Sequence, residues 1–217
     1  MNSPGSLEKL PSGLRNVSLM CMALAALVGF FSMSELLGLV HVAETSPTAG
    51  RLPGPFGSEA FQRGYEAQLS ALESMRVARA VTLVSLGLAC ALNLVSASRL
   101  IWPRGWRLSQ TAPALPREGM RKLIVASSMA VALLRTLDGA QLAVVARRVG
   151  AAMGRSASSM PALASASPAI LEAKLRSWAV TIAVVQTAVV VGAFAFFSHY
   201  FRTQRVRGML AALDQAR

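Results

Sequence analysis

Four apolar blocks, each long enough to cross a bilayer, are separated by stretches that hold nearly all of the charge. A water-soluble domain mixes polar and apolar positions at helical or strand periods; this chain segregates them over about twenty residues, the length of a transmembrane helix. The first block, residues 17–40, reads VSLMCMALAALVGFFSMSELLGLV and reaches roughly 35 Å at helical rise. The others cover residues 77–101, 123–146 and 178–201. The predicted fold is therefore all-α: a polytopic membrane protein with four transmembrane helices in a bundle, a short tail at 1–16 and a basic tail at 202–217. Long apolar helices exclude the alternating strands of an outer-membrane barrel.

A cleaved signal peptide competes for the first block, because Lys9 and Arg15 precede it. The apolar stretch exceeds the roughly 7–15 residues of a signal core, and no small-x-small site follows promptly, so the block is expected to stay as a helix. Ahead of the second block, Phe61, Tyr65, Leu69, Leu72 and Met75 recur at spacings of three and four, one face of a helix that Ser58 is placed to cap. This amphipathic helix either lies on the membrane surface or runs straight into the second span. The segment before it, ETSPTAGRLPGPFG, is rich in turn formers and reads as a loop. Between the third and fourth blocks, RRVGAAMGRSASSMPALASASPAILEAKLRS is small and Pro-containing in its middle and is expected to be irregular there, with ILEAKLRSW already leading into the last helix. Loops of this size leave no space for a separate soluble domain.

The net charge of +12 would suggest nucleic acid in a soluble protein, but the arginines lie beside the apolar blocks, where lipid head groups explain them. With the N-terminus inside, the inner segments hold eleven basic residues and the outer segments eight, or twelve and nine when Arg99 and Arg79 are added as span-end residues. The positive-inside rule thus favours both termini in the cytoplasm. Abundant Ala and a preference for Arg over Lys fit a bacterium of high genomic GC content, and hence an inner membrane.

The third block is the least lipid-like. Arg135, Asp138 and Gln141 follow one another at intervals of three, a polar stripe on one helix face. Such charges inside a membrane are costly and turn away from lipid. By helical rise, Arg135 lies about 18 Å and Asp138 about 22 Å along their span, with Glu35 at about 27 Å on the first helix and Gln186 at a comparable level on the fourth. Glu35, Arg135, Asp138, Gln141 and Gln186 are therefore the candidate site, an intramembrane polar layer or partner contact; Asn93 falls lower, at about 12 Å. Either this layer handles protons, ions or a polar solute, or it fixes helix register and holds a partner subunit. Small residues at Ser85, Ala89 and Asn93, and at Gly139 and Ala143, recur every four residues, but in so Ala-rich a chain they assign no interface.

Cofactor and enzyme signals are weak. His41 and His199 end the first and fourth spans on opposite sides, which disfavours bis-histidine haem or metal ligation within one chain. Cys21 and Cys90 read as small buried residues. No glycine-rich nucleotide loop, HExxH helix, nucleophile elbow or CxxC pair occurs. Neither cofactor nor metal is expected, and the partners expected are lipids, other membrane subunits or further copies of the chain. The preferred function is a small integral subunit that packs within or helps assemble a larger membrane complex. A homo-oligomeric ion or small-solute channel or transporter comes second, and an intramembrane enzyme acting on a lipid or apolar substrate third.

Overall fold

A computed structural model describes residues 10–44, 59–102, 116–157 and 167–215. Among them the secondary structure is helical throughout: α1 (Ser12–Glu44), α2 (Glu59–Ile101), α3 (Arg117–Ala157), α4 (Pro168–Arg202) and α5 (Gln204–Gln215). The first four are each long and apolar enough to cross a membrane. Their outward side chains match that setting, with Phe30, Phe31, Leu88, Leu133, Ile182 and Val189 all more than half exposed. In water such a surface would drive aggregation; in lipid it meets its own kind. The chain is a multi-pass membrane protein.

Local chemistry sets the helix starts. Pro11, Pro116 and Pro168 stand at or just before the first turns of α1, α3 and α4, where a missing N–H costs nothing. The Ser167 carbonyl accepts from the Ile170 and Leu171 amides at 3.0 and 3.1 Å and so opens α4. The amphipathic stretch before the second span is continuous with it, giving α2 43 residues and a length of about 64 Å. Ser58 and the turn-rich segment before it lie outside the described residues. After the third span α3 continues as helix through Ala157; the middle of the following stretch, expected to be irregular, falls largely on residues 158–166, which lie outside the described residues. The basic tail is also a helix, α5.

The chain divides into two compact units, each drawing on α1 to α4. One comprises Met1–Met33, Ser85–Leu134 and Val190–Arg217. Its core packs Leu14, Cys21 and Val28 of α1 with Leu86 and Leu100 of α2, Ile124 and Val131 of α3, and Phe194, Phe197 and Phe201 of α4. Within that core, Asn93 accepts from the Cys21 thiol at 2.9 Å and donates to the hydroxyls of Ser127 and Ser128 at 3.1 and 2.7 Å. The node pins three helices at one register, as buried polar groups in lipid must find partners in one another. Val206 and Leu210, four apart, turn one face of α5 into the same core. Asp214 near its end accepts from the Arg117 and Glu118 amides, both at 3.3 Å, so a carboxylate caps the positive end of α3. Arg121 returns the favour at α4, donating to the Phe201 carbonyl at 2.7 Å while gripping Glu118 in a two-pronged pair.

The other unit comprises Ser34–Val84 and Arg135–Val189. Here α3 and α4 approach until glycine is required. A Cβ on Gly154 would lie 2.4 Å from the Glu172 Cα, and one on Gly150 2.8 Å from the Arg176 Cα. Gly139 takes the Thr187 side chain in the same way. On α2, Gly64 receives Met153, and Gly64 and Ala71 are buried while Phe61 and Tyr65 are exposed. Of the large apolar residues that mark the helix in the sequence, Phe61 and Tyr65 thus lie off its packed face while Leu69, Leu72 and Met75 are half-buried; the closest helix contact falls on a small residue.

Candidate functional site: a four-charge network

Four ionisable side chains of the second unit form a chain of alternating sign. Arg79 of α2, 1% exposed, donates through Nε to Glu35 Oε1 at 3.1 Å and pairs with the same oxygen through Nη2. Its Nη2 also stands 3.5 Å from Asp138 Oδ1 on α3. Asp138 is fully buried, and its second oxygen is bonded by Arg135 one helical turn earlier. The order Glu35, Arg79, Asp138, Arg135 joins α1, α2 and α3, and the formal charges cancel. One turn beyond Asp138, Gln141 leans back toward the helix N-terminus, as helical side chains do, and donates to the Thr82 hydroxyl at 3.2 Å.

Four of the five candidate residues of this layer come together. Arg135 and Asp138 pair on one face, Glu35 joins their network, and Gln141 extends it through Thr82. Gln186 does not join. It is exposed, and its neighbour Thr187 is the α4 residue that turns inward, against Gly139. The central cation, Arg79, was assigned to a span end because the apolar run begins at Val77. With α2 continuous from Glu59, it lies twenty residues into a helix. Two signals pointed to it: an arginine inside VARAVTL, and a Glu35 with no cation on its own span. The GxxxG of GAAMG, Gly150 to Gly154, was likewise legible as a close-packing motif.

The network's exposure is graded. The Glu35 side chain is 40% exposed, that of Arg135 13%, while Arg79 and Asp138 are sealed. Arg79 Nη1, Arg135 Nε, Asp138 Oδ1 and Gln141 Oε1 are buried without a hydrogen-bond partner. Buried charges kept with hydrogen-bonding capacity to spare contribute little net stability; their value lies in fixing which helices meet and at what register. Among the described residues, no three His, Cys, Asp or Glu side chains converge as metal ligands. No protein-family model, curated protein or solved structure matches the chain. Function is therefore argued from the geometry alone.

Proposed function

We propose that the protein is a small integral membrane subunit that packs within, or helps assemble, a larger membrane complex. The observation that carries this reading is the outward Gln186. It sits near the middle of α4, among the exposed Ile182, Val184, Val185 and Val189, on the span with the smallest buried share, 17%. An amide left in hydrocarbon without a partner is costly, and a neighbouring transmembrane helix relieves that cost with a hydrogen bond. The part-exposed carboxylate of Glu35 adds a second outward polar group. A sign-balanced charge network suits a scaffold that must hold one register. The Ala-rich, Arg-over-Lys composition supports a bacterial inner membrane, and the positive-inside count supports both termini in the cytoplasm.

Photocrosslinking from a reactive amino acid placed at position 186, in native membranes, tests the reading. A specific adduct with a different polypeptide, co-purifying after mild extraction, is the expected result. An adduct only with lipid or with further copies of the chain overturns it. Ion or solute flux by the purified protein alone in liposomes would put the channel reading in its place, and lipid turnover the enzyme reading.

A further inference from the structure

Past its apolar stretch, α3 presents Arg147, Arg148 and Arg155 on the face that also holds Val144 and Ala151, at helical spacings of three and four. Together with α2 and α4 they line an open hollow of about 600 Å³. It exists because the residues between the arginines are small: Ala151 on α3, and Ala67 and Ser70 on α2. Val144 belongs to the last apolar turn, and Arg176 lines the hollow from α4. The Arg176 backbone packs closely against Gly150, which brings this wall near α3. Glu66, Glu73 and Glu172 lie on the same helix segments, but none of them lines the hollow. Of the lining arginines, Arg148 donates to a neutral group, the Ser74 hydroxyl, at 3.3 Å.

We propose that this hollow binds a phosphate group. The guanidinium forks of Arg147, Arg148 and Arg176, around a hollow free of lining carboxylates, match the geometry and charge of a phosphate, which accepts paired N–H bonds. The volume is that of a ligand pocket and leaves room for the group that carries the phosphate. Its level along α3, where the apolar block gives way to Arg147, is the level at which bilayer phosphates lie. The same chemistry serves an anionic phospholipid head group entering from the side or a soluble phosphoester entering from water. This inference is independent of the assembly reading.

The test uses the full chain purified in detergent, comparing native mass spectra after addition of phosphatidylglycerol or phosphatidylcholine, and thermal shifts with sodium phosphate or glycerol phosphate. One variant combines Arg147→Gln, Arg148→Gln and Arg176→Gln. A second, Ala151→Phe, fills the hollow and keeps every arginine. A control, Arg202→Gln with Arg205→Gln and Arg207→Gln, removes equal charge elsewhere. A head-group site predicts retained phosphatidylglycerol that falls about tenfold in both pocket variants and not in the control. A soluble-phosphoester site predicts a thermal shift with the water-soluble phosphates, lost in the same two variants, and no selective lipid retention. Equal binding by the wild-type chain and Ala151→Phe, an equal loss in the control, or no binding by the wild-type chain to any of these compounds overturns the proposal. If the triple variant does not fold, Ala151→Phe against the control decides.

Discussion

Replacing Arg79 by Met removes the one cation that touches both carboxylates of the network. Glu35 then loses two hydrogen bonds and its charge partner, whereas Asp138 keeps Arg135. Breaking a buried ion pair by deleting one member costs about 3–5 kcal/mol, most of it the charge left behind. A part-exposed Glu35 would escape much of that cost in water, but its exposed neighbours are Phe31, Met33 and Leu37, so lipid and not water lies beside it. For a chain of this size the loss corresponds to a fall in melting temperature of roughly 6–20 °C. Glu35→Gln alone costs less, about 1–3 kcal/mol, because Arg79 still has Asp138 beside it. The double variant restores neutrality. It is expected to be more stable than the sum of the single losses by about 1–3 kcal/mol, a coupling measurable in a double-mutant cycle. Thermal or detergent-driven unfolding of the four proteins in one detergent reads these values. Strict additivity would show that the two side chains do not interact and would refute the network.

Three further outcomes are expected. Gly154→Ala places a methyl 2.4 Å from the Glu172 Cα and should destabilise by about 1–3 kcal/mol, whereas Gly208→Ala on α5, with nothing within 4 Å, should stabilise by about 0.4–1 kcal/mol; unfolding midpoints compare them. Asp214→Ala uncaps α3 and should cost about 0.5–2 kcal/mol, with faster amide exchange at Arg117, Glu118 and through α5. Cys21 and Cys90, both buried thiols outside any disulfide, should resist a membrane-permeant maleimide until the protein unfolds; rapid labelling of the native form would contradict the packing of the first unit.

The four spans were legible because segregated apolar runs depend on the solvent, lipid, and not on the details of packing. Helix ends were harder to read. Glycine is a poor helix former, so local propensity gave no sign that Gly150 and Gly154 are what let α3 lie against the α4 backbone. Side-chain facing on the early part of α2 suffered too: exposed Tyr65 stands beside buried Gly64, so bulk alone does not mark the packed face there. Of the candidate layer, Arg135 and Asp138 were readable from spacing on one helix. Level along the membrane alone could not settle Gln186, because depth fixes height and leaves rotation about the helix axis open. Arg79 was hidden by taking the first apolar residue as the start of the span.

The division of the chain bears on the order in which it is made. The second unit draws only on segments up to Val189, so its charges and glycine contacts are all synthesised before the last stretch of α4. The first unit needs residues from the beginning, the middle and the final stretch, and its α3 cap is supplied by Asp214. During synthesis from the N-terminus, the ionic half is thus free to assemble early and the apolar half waits for α5. A chain stopped shortly after Arg202 would carry the complete network and spans while leaving the α3 amides at Arg117 and Glu118 without the Asp214 carboxylate.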